Sequence, residues 1–235
     1  MAEEVQKKKK TKPITVKANK KGRHKMPMLS FLRVLMIPLI WLMLPFRFYG
    51  KRKVGDGAYV YVSNHYRLWD VAYPACTTWE GIHYMAKRSV VENWFLKGFC
   101  RSCKVIGVNR DGADIRAIMD AMKCLKNGEK IVIYPEGTRN RSEAEMLEFK
   151  AGAAMMAIKT KTPIVPICIY KKPRPFRMNA VLIGEPFELS EYYDRKLSEE
   201  ELTAAEHKVR DVLLELRKKH TEFLESKKKK KVKSA

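Results

Sequence analysis

Residues 59–70 read YVYVSNHYRLWD, and this stretch decides the fold. Its first four residues alternate Tyr and Val, which predicts a buried strand over 59–63. The polar residues after the strand predict a loop, followed by a helix over 70–78. Strands and helices alternate in this way along the chain. The pattern predicts an α/β fold with a central mixed sheet flanked by helices.

The other elements follow from the same patterns of apolar residues and turn signals. Further strands are predicted over 82–86, 105–108, 131–134, 164–169 and 180–183. Further helices are predicted over 90–103, 114–127, 151–159 and from Ser198 onward, where Glu201 completes a capping box. In the helix over 114–127 the predicted apolar face comprises Ile115, Ile118, Met119, Met122 and Leu125.

The chain of 235 residues carries a net charge of +22, most of it near the two ends. Residues 1–25 hold ten Lys or Arg and two acids, and residues 227–233 hold six Lys and no acid. Such tails look disordered and bind polyanions, either anionic lipid or nucleic acid. We therefore divide the chain into a basic tail over 1–25, an apolar helical arm over 26–50, an α/β domain over 51–220 and a lysine-rich tail over 221–235.

The apolar arm is centred on residues 34–46, thirteen residues without a charge. A membrane-spanning helix needs about 20 apolar residues, and Pro38 and Pro45 interrupt this one. Basic residues, among them Arg33 and Arg47, flank the segment on both sides. The sequence thus predicts a membrane-binding arm that lies in or dips into one leaflet. A buried core helix is the alternative interpretation.

The five cysteines are odd in number and show no disulfide rhythm, which favours a reducing cytosolic compartment. Cys100 and Cys103 form a lone C-x-x-C pair. A zinc site would need further ligands near this pair in the fold, and His83 remains one candidate. We favour a structural, reduced pair, with a redox or metal role as the alternative, and expect the protein to need no metal and no cofactor.

His65 and Asp70 are the candidate catalytic residues. A neutral imidazole can take and return a proton near neutral pH, and a carboxylate on its other nitrogen fixes the tautomer. The two side chains can meet only if His65 lies in a loop that turns into a helix before Asp70. The chain has no G-x-S-x-G elbow, so the nucleophile is expected to be a hydroxyl of the substrate.

A second string, YPEGTR at 134–139, follows a predicted strand and predicts a phosphate site. Gly137 lets the backbone approach a ligand, Thr138 supplies a hydroxyl, and Arg139 can bind phosphate through two parallel hydrogen bonds. Arg110 also follows a strand, and Lys150 is a weaker candidate. Glu136 either contributes to this site or braces the turn through an ion pair.

Four strings resemble, in order and spacing, the four motifs of the glycerophospholipid acyltransferases. They are NHxxxxD at 64–70, GVNR at 107–110, YPEGTR at 134–139 and TPIVPI at 162–167. The closest resemblance is to the bacterial 1-acyl-sn-glycerol-3-phosphate acyltransferases. Two departures concern the acceptor: residues 66–69 are bulkier than is common in the family, and Asn140 stands where serine is frequent.

The resemblance implies that His65 is the general base and Asp70 its partner. It also implies that Arg110 and the loop from Glu136 to Arg139 bind the glycerol phosphate of the acceptor. By the same resemblance, an acyl-binding tunnel runs along the segment that contains Pro163, Ile164 and Pro166.

The implied activity is acyl transfer from acyl-CoA or acyl carrier protein to the sn-2 hydroxyl of lysophosphatidic acid, which gives phosphatidic acid in phospholipid biosynthesis. The expected location is the cytoplasmic face of the cell membrane, on an anionic surface. Two alternatives remain open. One is a related enzyme with another acceptor, glycerol 3-phosphate or another lysolipid. The other is a polyanion-binding protein, although the sequence shows no nucleic-acid recognition motif.

Overall fold

A seven-stranded mixed sheet forms the centre of the protein in a computed structural model that describes residues 26–109, 114–150 and 152–233. The strands are β1 Phe46–Gly50, β2 Tyr59–Ser63, β3 Ile82–Lys87, β4 Ile106–Val108, β5 Lys130–Ile133, β6 Ile164–Ile169 and β7 Asn179–Ile183. Their order in the sheet is β1-β7-β6-β2-β5-β3-β4. The predicted α/β architecture with a mixed sheet is confirmed.

Strands β6, β2, β5, β3 and β4 run parallel to one another. Strand β7 is antiparallel to β6, and β1 is parallel to β7. Because β2 and β5 are parallel neighbours, the loops after them leave the same edge of the sheet. His65 lies in the first of these loops and Tyr134 begins the second, so both sequence motifs meet at one edge.

Seven α-helices surround the sheet in the described part of the chain. They are α1 Pro27–Met43, α2 Ala72–Ala75, α3 Arg88–Val91, α4 Lys97–Ser102, α5 Ile115–Lys126, α6 Ala153–Thr160 and α7 Glu199–Lys233, with short 3₁₀ helices at Leu68–Val71 and Ser190–Tyr192. The capping box before α7 is confirmed, since Glu201 accepts the N–H of Ser198 and the Ser198 hydroxyl accepts the N–H of Glu201.

The sheet separates two apolar cores, and the alternation along β2 shows this directly. Val60 and Val62 point to the core that is covered by α5, α6 and α7. Tyr59 and Tyr61 point to the other core, which α1 and α2 cover. Burial of both faces explains why the first four positions of β2 all carry aromatic or apolar side chains, rather than every second position.

Several predicted boundaries were wrong. Residues 46–50, assigned to the apolar arm, form edge strand β1, and the Asn179 side chain donates to the Pro45 carbonyl beside it. The helix predicted over 90–103 is divided into α3 and α4, because the Asn93 side chain accepts the N–H groups of Phe95 and Leu96. The helix predicted over 70–78 is reduced to a 3₁₀ turn and one α-helical turn.

The buried face of α5 also differs from the predicted face. Ala117, Ala121 and Leu125 are buried, whereas Ile115 and Met119 are exposed. Helix α5 packs on α6, which is itself rich in alanine, and small side chains allow the two helices to approach closely. The face of α5 that turns inward is therefore the one that allows close packing on α6, rather than the one with the largest apolar side chains.

Helix α7 continues through Lys233 and includes residues 221–233, which the sequence analysis set apart as a disordered tail. The segment from Glu199 to Lys233 contains no Pro or Gly and is rich in Lys, Glu and Leu, which are good helix formers. At about 1.5 Å per residue, the helix is roughly 50 Å long. The basic tail predicted over 1–25 lies outside the described residues.

Helix α1 packs on the core through one side and leaves its other side apolar and exposed. Met26 and Leu29 are buried, whereas Phe31, Val34, Leu35, Leu39 and Leu42 are exposed. In the described residues, no helix combines the length and the apolar character that are needed to cross a membrane. The helix is thus not the buried core helix of the alternative interpretation.

Arg33 attaches α1 to the rest of the protein and is only 5% exposed. Its Nε donates to the Ala75 carbonyl at 2.9 Å, and its two Nη atoms donate to the carbonyls of Trp79 at 3.1 Å and Glu80 at 2.8 Å. The sequence predicts that Arg33 is one of the charges that flank a membrane segment. In the structure Arg33 instead donates hydrogen bonds to three carbonyls, at the end of α2 and in the loop that follows.

We expect Arg33→Met to lower the free energy of unfolding by about 2–4 kcal/mol, because a buried set of carbonyl acceptors loses its donor. Chemical denaturation measures the effect. Arg47→Met, in the exposed part of β1, is the matched control and should change stability by less than about 0.5 kcal/mol. Equal stability of the two variants would contradict the anchoring role of Arg33.

Candidate active site

The loop after β2 is held in place by Asn64, which is completely buried. Its side-chain amide donates to the Ile169 carbonyl at 3.0 Å, and its side-chain oxygen accepts the Ile169 N–H at 2.8 Å. This pair of hydrogen bonds ties the loop to the carboxyl end of β6, the neighbouring strand. Asn64 thereby fixes the position from which His65 projects.

His65 and Asp70 are in direct contact, as their spacing requires. The distance from His65 Nδ1 to Asp70 Oδ2 is 3.0 Å, and the same carboxylate oxygen accepts the backbone N–H groups of Tyr66 and Arg67. Asp70 is 1% exposed and His65 is 16% exposed. In the tautomer that carries its proton on Nδ1, the ring donates a hydrogen bond to the Asp70 carboxylate, and the lone pair on Nε2 can accept a proton.

Tyr134 lies against the His65 ring and restricts its movement. The two ring centroids are 4.3 Å apart and the planes are inclined by 28°, a stacked arrangement. Burial raises the pKa of the Tyr134 hydroxyl well above its ordinary value, so the ring stays neutral. The sequence did not predict this contact, although Tyr134 directly precedes the PEGTR string and its strand is a neighbour of β2 in the sheet.

Glu136 braces the catalytic loop from within. One carboxylate oxygen accepts the backbone N–H of His65 at 2.8 Å, and the other accepts the N–H of Leu147 at 3.2 Å. Burial raises the pKa of this carboxyl group, and the two backbone donors oppose that shift. The contacts are those of a positioning residue. The predicted direct role in substrate binding remains a prediction.

The two departures from the family motifs also have structural roles. Asn140 is buried, its N–H donates to the His65 carbonyl at 2.7 Å, and its side-chain oxygen accepts from Ser142. Tyr66 is buried and donates its hydroxyl proton to the Glu145 carbonyl. Leu68 and Trp69, by contrast, are exposed beside the catalytic pair.

The predicted phosphate-binding residues lie on the adjacent loop. Gly137 has a φ of +64°, and the Lys150 side chain passes so close that a Cβ atom at this position would lie 3.2 Å from it. Thr138, Arg139 and Lys150 are exposed. The turn therefore brings one ammonium and one guanidinium group to the edge of the sheet that carries His65. Arg110 lies outside the described residues.

Glu206 on α7 supports the segment that follows Lys150. Its Oε1 accepts the N–H groups of Gly152 at 2.7 Å and Ala154 at 2.8 Å, at the first turn of α6. Burial raises the pKa of this carboxyl group to about 7, against the opposing effect of these backbone donors. The long C-terminal helix is thus joined to the loop that carries Lys150.

The residues assigned to an acyl tunnel lie in or beside β6 and are buried. Ile164 pairs with Val60, three residues before the end of β2, so at about 3.3 Å per residue it lies roughly 10 Å from the end of the sheet that carries His65. Pro163 lies still farther away, whereas Pro166 pairs with Val62. The structure does not bring Pro163 and Ile164 next to His65, and the tunnel remains a prediction.

The cysteines are free thiols in the structure. Burial raises the pKa values of Cys100 and Cys103, which opposes formation of the reactive thiolate. His83 instead groups with Cys124 and Glu129, whose potential ligand atoms lie within 4.8 Å of one another. One His83 nitrogen contacts the Lys104 carbonyl and the other contacts Glu129, so the ring is held by hydrogen bonds.

A comparison with protein-family models decides the family. The Acyltransferase model matches residues 45–170, which is more than half of the chain and includes His65, Asp70 and the PEGTR string. The chain belongs to the acyltransferase family. Strand β2, the catalytic loop and β5 all lie inside the matched region, so the geometry described above is that of the acyltransferase domain itself.

Curated relatives of this acyltransferase include two bacterial proteins named 1-acyl-sn-glycerol-3-phosphate acyltransferase. The one from Bacillus subtilis is 32% identical over 117 residues, which cover 47% of this chain and 57% of the relative. The one from Borreliella burgdorferi is 35% identical over 99 residues, which cover 41% of this chain and 39% of the relative. The chain thus spans about half the length of the curated relatives it matches.

Among solved structures, the acyltransferase PlsC from Thermotoga maritima shares the fold. The two chains superpose with a TM-score of 0.59 at 22% sequence identity, over 82% of this chain and 80% of the other. The resemblance therefore covers the sheet and its helices well beyond the four short motifs.

Proposed function

We propose that this acyltransferase moves a fatty acyl group from a thioester donor to the sn-2 hydroxyl of 1-acyl-sn-glycerol 3-phosphate, which gives phosphatidic acid. The observation that carries the proposal is the contact between His65 Nδ1 and Asp70, which leaves the second ring nitrogen free as a base. The names of the curated relatives support this choice of acceptor.

In the proposed reaction His65 Nε2 removes the proton from the sn-2 hydroxyl as its oxygen attacks the thioester carbonyl carbon. Asp70 stabilises the imidazolium that forms and keeps the proton on Nδ1. Stacking against Tyr134 and the bond from the His65 N–H to Glu136 hold the base in one orientation. A base that is already oriented loses little entropy on the way to the transition state.

Collapse of the tetrahedral intermediate breaks the carbon–sulfur bond. The imidazolium returns its proton to the departing thiolate, so the products are phosphatidic acid and a free thiol. His65 is then neutral again, and no covalent acyl-enzyme forms. The donor is acyl-CoA or acyl carrier protein, both of which carry the same thioester.

The acceptor's phosphate is proposed to bind at the turn after β5. Gly137 permits close approach of the backbone, and Arg139 and Lys150 supply two positive charges on the edge that carries His65. A phosphate held there places the glycerol hydroxyl near the base. Arg110 is proposed as a further phosphate ligand on the strength of its family motif.

The acceptor is an amphiphile, and the proposed location is a membrane surface. Helix α1 exposes a row of large apolar side chains while Arg33 holds its other side against the protein. A helix of this kind lies in the interface, with its apolar side inserted among the acyl chains. This arrangement supports the proposal of peripheral or monotopic attachment, which we place at the cytoplasmic face of the cell membrane.

The direct test is product identification with purified protein. 1-Acyl-sn-glycerol 3-phosphate in detergent micelles is supplied with acyl-CoA or with acyl carrier protein thioester, and lipid products are analysed by mass spectrometry. We expect phosphatidic acid as the main product. Glycerol 3-phosphate and a lysophosphatidylcholine are the comparison acceptors, and faster turnover of either would contradict the proposed acceptor.

We expect Arg139→Lys to raise the acceptor KM about tenfold and to leave the donor KM unchanged. Lysine keeps the charge but cannot form two parallel hydrogen bonds to one phosphate. Arg141→Lys, on the same loop and also exposed, is the matched control and should change neither constant by more than about twofold. An effect on the donor KM alone would mean that this loop binds the donor and would contradict its proposed role in binding the acceptor.

A further inference from the structure

The loop between β6 and β7 is strongly basic and carries an exposed aromatic residue at its tip. Residues 171–178 read KKPRPFRM, and the chain from 170 to 184 contains no acidic residue. The four basic side chains, Lys171, Lys172, Arg174 and Arg177, are all exposed. Among the described residues, none of the four forms an ion pair. Their charge is therefore available to an anionic partner.

Phe176, at the tip of this loop, is 76% exposed, and Met178 is exposed beside it. Phe176 also has a φ of +54°, in the left-handed region that favours glycine. A bulky residue in this region is strained, because its Cβ atom lies too close to the following carbonyl oxygen. The fold therefore accepts backbone strain to present an aromatic ring to the outside, a combination that indicates a function for the ring.

The loop is held in this conformation by Asn179, the first residue of β7. The Asn179 side-chain amide donates to the carbonyls of Pro45, Arg174 and Arg177, and its oxygen accepts the N–H of Arg174. Most of these partners are in the loop itself. The basic residues and Phe176 are thus displayed on a preformed turn.

The loop lies next to the exposed apolar helix and the catalytic loop. The Phe176 N–H donates to the Met43 carbonyl at the end of α1, at 2.8 Å. Arg67, between His65 and Asp70, donates from Nε to the Pro173 carbonyl at 2.9 Å. One loop therefore joins the end of the apolar helix to the catalytic loop.

The basic end of α7 extends the same surface. A shallow cavity of about 460 Å³ is lined by Tyr170 and Lys171 on one side and by Glu225, Lys227 and Lys228 of α7 on the other. Three of these four charged residues are basic, so a net positive charge continues from the loop to the lysine-rich end of the helix. An exposed apolar ring surrounded by cations matches the boundary between headgroups and acyl chains in an anionic bilayer.

From these contacts we propose that residues 171–178 form a second membrane-contacting element, in which the four cations bind anionic lipid headgroups and Phe176 enters the acyl region. The partner is an anionic lipid surface. This inference extends the proposed function, because contact at this loop would hold the catalytic loop at the height of a membrane-borne acceptor.

Sedimentation with vesicles tests whether the four cations of the loop bind anionic lipid. We compare neutral phosphatidylcholine vesicles with vesicles in which about one third of the lipid is anionic phosphatidylglycerol, which gives the surface a negative potential. The loop variant replaces Lys171, Lys172, Arg174 and Arg177 with Gln. The matched control removes four exposed lysines from elsewhere, Lys123, Lys126, Lys159 and Lys196, also with Gln.

We expect the loop variant to bind anionic vesicles about tenfold or more weakly than the parent protein, since each cation near the surface contributes. The control should lose less than about threefold. Equal losses would mean that only total charge matters and would overturn the proposal, as would unchanged binding of the loop variant. A loss seen with duplex DNA but not with vesicles would also overturn it, in favour of nucleic acid.

Phe176→Gly tests insertion of the ring. Glycine removes the strain at a φ of +54°, so the variant should unfold at the same or a higher temperature than the parent. It should nevertheless bind neutral and anionic vesicles about tenfold more weakly. Met119→Ala, on the exposed side of α5, is the control for an exposed apolar side chain. Unchanged vesicle binding of Phe176→Gly would overturn insertion.

The outcome is separable from that of the proposed reaction. Vesicle binding requires no turnover, and the loop variants should transfer acyl groups to acceptor in detergent micelles at a rate within about threefold of the parent. A protein without acyltransferase activity whose vesicle binding depends on the loop would refute the proposed function alone. An active enzyme whose loop variants bind vesicles as tightly as the parent would refute this inference alone.

Discussion

His65→Ala is expected to lower kcat about 10³-fold or more with acceptor presented in detergent micelles. A positioned general base contributes about 10²–10⁴ to the rate of proton transfer, and the structure leaves only Nε2 of this ring free for the task. The KM values of both substrates should change little, because the imidazole acts on the reacting hydroxyl rather than on the phosphate or the acyl chain.

Two controls distinguish a loss of catalysis in His65→Ala from a loss of folded protein. The thermal unfolding temperature of His65→Ala should stay close to that of the parent, since His65 is partly exposed and its backbone N–H still donates to Glu136. His207→Ala removes an exposed histidine from α7 and should keep full activity. A folded His65→Ala that retains more than about one tenth of the activity would remove His65 from the role of base.

Asp70→Asn is expected to lower kcat/KM by about 10³–10⁴-fold although the shape of the side chain is kept. One carboxylate oxygen of Asp70 accepts from His65 Nδ1 and from the N–H groups of Tyr66 and Arg67. An asparagine whose oxygen stays on the two backbone donors keeps the same oxygen on Nδ1, because all three donors share one oxygen. The side chain is then neutral, so it no longer supplies the negative charge that stabilises the imidazolium in the transition state.

Glu206→Gln is the matched control, because Glu206 is also buried and one of its oxygens accepts two backbone N–H groups. It should affect stability, with turnover within about threefold of the parent. If Asp70→Asn and Glu206→Gln lost activity equally and in step with their unfolding temperatures, Asp70 would have a structural role alone. A severe loss in a fully folded Asp70→Asn supports stabilisation of the imidazolium by the Asp70 carboxylate.

The structure adds a set of positioning residues to the two proposed catalytic residues, His65 and Asp70. Asn64 attaches the loop to β6, Glu136 accepts the His65 N–H, Asn140 donates to the His65 carbonyl, and Tyr134 stacks on the ring. Tyr134, Glu136 and Asn140 all belong to the segment after β5, and Asn64 ties the loop to β6. The proposed base is therefore held by two elements that meet His65 only in the folded protein, which suits a reaction that depends on orientation.

The sequence alone determined the features that depend on neighbouring residues. Alternating Tyr and Val residues predicted β2, the capping box predicted the start of α7, and the interval between His65 and Asp70 predicted a loop that turns back on itself. These are local properties, because the strand period, a cap and a short turn involve residues within about five positions.

Tertiary structure decided the features that depend on distant residues. The sequence predicts that Arg33 flanks an apolar segment. In the structure Arg33 is buried and donates hydrogen bonds to three carbonyls more than forty positions away. Ala117 and Ala121, rather than the larger Ile115 and Met119, face the core because α6 packs closely there. Phe176 keeps a left-handed backbone because Asn179 holds the loop. Residue type sets what a side chain can do, and only packing between distant segments sets which of its possible partners it meets.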